Sequence, residues 1–151
     1  MKKISFNSGW SCNGQAVTLP HDAQITEKRS AESSNGGHGY FPGGVYTYEK
    51  VFTAPAEWEG KAIILEFEGV YKNAAVSLNG KQLTFHPYGY TNFFVELEDL
   101  KTGAENTLTV VADNSKLPNS RWYSGAGIYR PVWVYVCEKN GLRPQSVKIS
   151  T

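Results

Sequence analysis

Residues Ile63 to Glu68 place Ile63, Leu65 and Phe67 on one side of the chain and Ile64, Glu66 and Glu68 on the other. A period of two marks a half-buried strand, with one face on a core and the other in water. In a helix the same residues would be scattered around the axis. Val45–Phe52 repeats the pattern: Tyr46, Tyr48 and Phe52 share one face, Thr47 and Glu49 the other. Further strand-length runs are Phe93–Leu97, Thr107–Asp113 and Val132–Val136, and shorter ones open the chain at Ile4–Phe6, Gly9–Cys12 and Val17–Leu19. Val147–Ser150 begins to alternate again.

Turn signals separate these runs. Asn79-Gly80, inside Val76–Leu83, supplies the positive φ values of a type I′ turn and predicts a hairpin. Pro55–Gly60 predicts a turn or a single helical turn, with Trp58 as a core plug, and Asp99–Asn106 is rich in turn residues. No stretch carries a convincing amphipathic helical period. About eight to ten strands without a helix predict an all-β chain, an antiparallel jelly-roll β-sandwich. Its core should contain Ile63, Leu65, Phe67, Leu108, Val110, Val132 and Val134.

A chain of 151 residues suffices for one domain with a sizeable core. A net charge of +1, with 19% charged residues, argues against nucleic acid or an anionic membrane as the main partner. The longest apolar run is far too short to span a bilayer. A polar run follows Met1-Lys2-Lys3, so no signal peptide is expected within these residues. Cys12 and Cys137 read as two buried free thiols, because a domain of this size needs no staple. His21, His38 and His86 are scattered and make no zinc pattern; no metal or cofactor is expected. Nine Tyr and four Trp suit both sandwich packing and a carbohydrate surface.

Two irregular regions stand out. Residues 23–44 form the longest, rich in Ser, Gly, Asn and charge; such loops are usually functional or mobile. The second, Asn119–Arg130, joins two strand-like runs and contains Gly125, Gly127, Trp122, Tyr123 and Tyr129. The glycines allow positive φ or a close approach to another surface. The aromatic rings suit stacking on a sugar, and equally a packed loop closing one end of a sandwich. Asp22, at the mouth of the first region, can accept two sugar hydroxyls as a charged acceptor, or serve as an Asx-turn or structural carboxylate. Arg130 reads as a loop anchor through an ion pair, and Tyr88-Gly89-Tyr90 as packing, with a sugar platform as the lesser alternative.

Catalytic chemistry is harder to find. A retaining glycosidase needs two carboxyl groups roughly 5–5.5 Å apart across a sugar. Glu66 with Glu68, and Glu57 with Glu59, are adjacent pairs on one strand and one turn, which read as solvated faces. No Gly-x-Ser-x-Gly or phosphate-loop segment occurs. No catalytic residue is assigned.

The run Asn119-Ser120-Arg121-Trp122-Tyr123-Ser124-Gly125-Ala126-Gly127-Ile128-Tyr129-Arg130-Pro131-Val132-Trp133-Val134 resembles a segment of the N-terminal domain of glycoside hydrolase family 2. Leu19-Pro20-His21-Asp22, Gly39–Val45, Phe67–Tyr71, Leu78-Asn79-Gly80 and Pro87–Tyr90 are similar to further stretches of that domain, in the same order. The family includes β-galactosidases, β-glucuronidases and β-mannosidases, and the bacterial β-galactosidase-like branch is the nearest in flavour. The resemblance implies a galactose-binding-domain-like fold over residues 1–145. Residues 146–151 would begin a linker or the next domain, the chain's ending looking cut. It implies a longer parent, with an immunoglobulin-like domain and a (β/α)₈ barrel that holds the catalytic glutamates. It also implies that loop residues of this domain reach the rim of the barrel's site, which makes Asp22, Asn119, Arg121 and Trp122 the ligand-binding candidates. In the best-known members an aspartate that contacts substrate stands where this chain has Arg121. Arg donates hydrogen bonds and cannot accept them, so sugar and linkage stay open. The expected partners are a β-linked carbohydrate, weakly held in isolation, and the rest of the parent. The compartment is open between bacterial cytoplasm and periplasm. An autonomous carbohydrate-binding module and a purely structural sandwich are the alternatives.

Overall fold

The computed structural model describes residues 1–147, 149 and 150. Ten strands follow in order: β1 Lys2–Ser5, β2 Trp10–Cys12, β3 Gln15–Val17, β4 Val45–Thr53, β5 Lys61–Phe67, β6 Ala74–Leu78, β7 Lys81–His86, β8 Phe93–Glu96, β9 Glu105–Asp113 and β10 Val132–Glu138. They pair antiparallel into a four-stranded sheet, β1-β10-β5-β8, and a six-stranded sheet, β3-β2-β4-β9-β6-β7. The expected all-β sandwich is therefore present. Among the described residues the only helical pieces are two single 3₁₀ turns, Gly36–His38 and Ala56–Trp58. The alternation expected from Val147 to Ser150 includes Lys148, which lies outside the described residues.

The two sheets enclose one core. Leu65, Phe67, Leu108, Val110, Val132 and Val134 are fully buried there, with Ile63 nearly so. Tyr46 and Tyr48 enter it from β4, as their shared face requires. Phe67 stacks on Phe93 with ring centroids 5.0 Å apart. Trp58 is buried at the Ala56–Trp58 turn, as its position between two short breaks predicts. Asn79 and Gly80 have φ of 49° and 83°, the positive pair that the β6–β7 hairpin requires.

One expectation fails. The strand at Ile63–Glu68 is not half-buried: Ala62, Ile64 and Glu66 are buried as well. On the outer face of the four-stranded sheet, Ala62, Ile64, Tyr135 and Cys137 make a second small cluster, flanked by Phe94 and Trp133. The Glu66 carboxylate accepts from Asn92 Nδ2 at 2.9 Å and from the Tyr135 hydroxyl at 2.7 Å, so its burial leaves no unmet acceptor. Glu68 accepts from Trp133 Nε1 at 2.8 Å. Both cysteines are free and buried.

Register decides where the loops lie. The start of β4 pairs with the end of β9, Val45 opposite Asp113. The end of β5 pairs with the starts of β10 and β8, Phe67 opposite Val132 and Phe93. The start of β6 faces the end of β7, Ala74 opposite His86. Short connections, 68–73 and 87–92, carry the chain from one sheet to the other. Connections so short cannot cross the length of the sandwich. Segments 18–44, 68–73, 87–92 and 114–131 therefore gather at one end.

Replacing Phe67 by Ala should remove about 3–5 kcal/mol of stability, because it leaves a cavity in the packed interior. Urea unfolding followed by tyrosine and tryptophan fluorescence measures this. A loss below about 1 kcal/mol would mean that Phe67 does not sit at the centre of the core.

Candidate functional site

The gathered loops are held together by polar side chains from distant parts of the chain. Asp22 is the main tie. Its Oδ1 accepts from the backbone N–H of Gln24 and of Ala126, both at 3.0 Å, and its Oδ2 accepts from the Tyr123 hydroxyl at 2.6 Å. The Gln24 contact is the Asx-turn; the other two fasten the 114–131 segment. Burial, reinforced by this carboxylate, pushes the Tyr123 phenol well above its ordinary pKa. The backbone follows the same line: His21 N–H donates to Ile128 O at 2.8 Å and Ala23 N–H to Ala126 O at 2.9 Å.

Two glycines make this approach possible. Gly125 has φ of +69°, and a Cβ there would lie 2.8 Å from Asp22 Oδ2. Gly127 has φ of +96°, and its Cβ would lie 2.0 Å from the Tyr48 hydroxyl. That hydroxyl is joined by a 2.9 Å hydrogen bond to His21 Nδ1, and burial drives its pKa far up. Both roles foreseen for the glycines, positive φ and close approach, are met together.

A second tie is a set of amides. Buried Asn114 donates through Nδ2 to Gln24 Oε1 and to Gly125 O, each at 3.2 Å. Asn119 donates to Asn114 Oδ1 and to Lys116 O, and accepts from the Tyr71 hydroxyl at 3.1 Å. The backbone of Tyr71 bridges Gly127 in both directions, at 2.9 and 2.8 Å.

Arg121 and Trp122 are different. Both side chains are exposed, Trp122 to 59%. Among the described residues the Arg121 guanidinium has no hydrogen bond or ion pair. Its carbonyl lies against Gly37, where a Cβ would come within 3.0 Å. Trp122 Nε1 donates to the Tyr90 hydroxyl at 3.1 Å. The structure thus brings Asp22, Asn119, Arg121 and Trp122 to one end of the sandwich, two as internal ties and two as exposed side chains.

Sequence reasoning missed several neighbours. In Tyr88-Gly89-Tyr90 the expected packing holds in part: Gly89 lies against the Tyr71 ring, and Tyr90 meets that ring edge-on with centroids 5.3 Å apart, yet Tyr88 is 56% and Tyr90 40% exposed. Two rings flanking a glycine were the available signal. Arg130 makes no ion pair among the described residues and instead lies over the Tyr129 ring, 5.4 Å from its centroid. Asn114 gave no signal, since its partners are remote in sequence. Among the described residues, no group of three or more His, Cys, Asp or Glu side chains has metal-binding geometry.

Comparison with known proteins gives concordant results. The domain description "glycosyl hydrolase 2 galactose-binding domain-like" matches residues 38–143. A β-galactosidase of Bacteroides ovatus is 46% identical over 122 residues, covering 80% of this chain and 14% of that protein. A β-glucuronidase of Bacteroides fragilis is 31% identical over 155 residues, covering 93% of this chain and 21% of that protein. The crystal structure of a β-glycosidase from Bacteroides vulgatus superposes with a TM-score of 0.83 at 34% identity, covering 91% of this chain and 20% of that one. A glycosyl hydrolase family 2 member from Bacteroides cellulosilyticus gives 0.85 at 29% identity, covering 90% and 20%. The chain spans only a small part of the length of each.

Burial holds His21 below its ordinary value of 6.5. A group whose folded pKa is depressed takes up its proton more readily in the unfolded chain. Its contribution is therefore present above about pH 6.5 and is lost as the pH falls below that value. Stability measured by urea titration should decline from about pH 7 to 5, and His21→Gln should flatten that part of the profile. An equal slope in the variant would assign it to other groups. Asp22→Ala should lower stability by about 1–3 kcal/mol, because it strands buried N–H donors, as read from the same titrations.

Proposed function

The chain belongs to the glycosyl hydrolase 2 galactose-binding-like family, and from that membership we propose that it serves as the non-catalytic N-terminal domain of a longer β-glycosidase. In this reading, residues 1–145 brace the catalytic barrel, and the loop end of the sandwich forms part of the wall around the glycone, the sugar whose bond is cut. Hydrolysis of O-glycosyl bonds belongs to the parent, with the catalytic carboxylates supplied from outside this chain. The ligand is a carbohydrate. The protein partner is the remainder of the parent, its immunoglobulin-like domain and barrel.

The observation that carries the proposal is the contrast within one loop. Asp22 and Asn119 spend their polar atoms holding its shape, while the Arg121 guanidinium has no partner among the described residues and the Trp122 ring stays exposed with its Nε1 bonded to Tyr90. A loop fixed from within, with exposed side chains outside, is pre-organised for a ligand. Arg121 provides a fork of donors for a pair of hydroxyls or a carboxylate. Trp122 provides a flat face for a sugar ring. Asp22 has three of its roughly four lone-pair sites in use and keeps one for a hydroxyl. Asn119 Oδ1, accepting once from Tyr71, keeps one as well.

Arg121→Ala in the full-length parent should reduce kcat/KM by about 1.5–3 kcal/mol, the scale of a charged hydrogen bond. The melting temperature should barely change, since among the described residues the guanidinium makes no hydrogen bond or ion pair. Unfolding of the variant, with unchanged activity per folded molecule, would make Arg121 structural and the loop a brace only. The 151-residue chain by itself should not turn over nitrophenyl glycosides. Its affinity for single sugars should be millimolar or weaker, because half of the site's partners are absent. A micromolar Kd by calorimetry would favour an autonomous binding module.

A further inference from the structure

We propose that the segment 87–92 carries a second carbohydrate platform, built from the Tyr88 and Tyr90 rings beside Trp122, which takes a further pyranose ring of a β-linked oligosaccharide. The proposal rests on the reading above for the class of ligand, and extends it from one sugar ring to at least two.

The segment is fixed at almost every residue. Tyr129 hydroxyl donates to Gly89 O at 2.7 Å, and Asn73 N–H to Pro87 O at 3.3 Å. His86 Nε2 and the Thr91 hydroxyl are joined at 3.1 Å, and Asn92 Nδ2 donates to Glu66 at 2.9 Å. Gly89 leaves no slack, since a Cβ there would meet the Tyr71 ring at 2.2 Å. Tyr90 rests edge-on against the Tyr71 ring, centroids 5.3 Å apart, and is still 40% exposed, while Tyr88 stands outward. The rings adjoin: the Tyr88 and Tyr90 centroids are 5.7 Å apart at 66°, and Trp122 Nε1 reaches the Tyr90 hydroxyl. Rigid exposed aromatic rings in contact make a binding surface with little entropy left to lose.

The edge of the platform is polar. Beside Tyr90 lies a shallow cavity of about 380 Å³, lined by Glu66, Glu68, Thr91, Asn92 and Arg130. That volume lies within the range of small-molecule sites. Arg130 offers donors with no ion pair among the described residues, and Glu68, which accepts from Trp133 Nε1, retains accepting capacity beyond that bond. Donors and acceptors set beside stacking rings match the hydroxyls and apolar face of a pyranose. A docked protein surface would instead bury the Arg130 and Glu68 charges, at a desolvation cost that hydroxyls avoid.

The test is a ring-resolved NMR titration of this chain with a β-1,4-linked glucose tetrasaccharide, a β-1,4-linked galactose tetrasaccharide and the two monosaccharides. At least one tetrasaccharide should shift the Tyr88, Tyr90 and Trp122 ring signals and bind more tightly than its monosaccharide. Tyr88→Ala should weaken that binding about tenfold, the scale of one lost aromatic contact, whereas Tyr88→Phe should keep it within about twofold. Unmoved Tyr88 and Tyr90 signals up to the solubility limit of both tetrasaccharides would overturn the proposal and leave the patch as a protein-docking surface. So would a Tyr88→Ala variant that binds like the parent chain. Arg121→Ala separates the two readings: if it abolishes binding while Tyr88→Ala does not, the platform fails and the glycone role of Arg121 survives.

Discussion

The loop end of this molecule depends on one carboxylate. Asp22 meets a donor two residues away and two others more than a hundred residues away in the chain. A carboxylate is one of few groups able to accept so many hydrogen bonds at once. Without it the 114–131 segment would keep its amide and backbone ties but lose two hydrogen bonds that offset the entropy of a long irregular loop. The tie lies partly buried, where such bonds are stronger than in water. Internal architecture thus accounts for most of a residue for which the sequence offers both a sugar-binding and a structural role.

Sheet register does the coarser work. Antiparallel pairing places the ends of β5, β7 and β9 beside the starts of β4, β6, β8 and β10. The short crossings between sheets then have no freedom to point elsewhere. A set of loops that looks dispersed along the sequence becomes one surface. It combines an internally satisfied layer of Asp22, Asn114 and Asn119 with an outer layer of Arg121, Trp122, Tyr88 and Tyr90. The inner layer sets position and the outer layer is left for contact.

The strands were legible because alternation is a local signal. Ile63, Leu65 and Phe67 announce their face without knowledge of their partners, and Asn79-Gly80 announces its turn. The outer burial of Ile64 and Glu66 was not legible: Phe94, Trp133 and Tyr135 reach them only after β5 has paired with β8 and β10. Glu66 illustrates the limit, since a carboxylate on a strand reads as solvent-facing until its hydroxyl and amide donors are brought to it. The candidate site was legible as a region, through its glycines and aromatic residues, and less so in its division of labour. Which of Asp22, Asn119, Arg121 and Trp122 have spare polar atoms depends on partners such as Tyr71 and Tyr123 that only folding supplies. Among the described residues the ion pair expected for Arg130 is absent, and its guanidinium lies over the ring of Tyr129.

The contact between Gly127 and Tyr48 has a consequence for how such a domain can change. The backbone at 127 occupies a left-handed conformation with the Tyr48 phenol pressed against it. A side chain at 127 would displace that phenol and, with it, the hydrogen bond to His21. Replacement of Tyr48 by a smaller residue would have to come first, and would leave behind the strain of a non-glycine residue at positive φ. Substitutions at the two positions are therefore epistatic, and the order in which they arise matters. Homologous domains that lack the glycine should differ at the tyrosine too, and should route the backbone of this loop along another path.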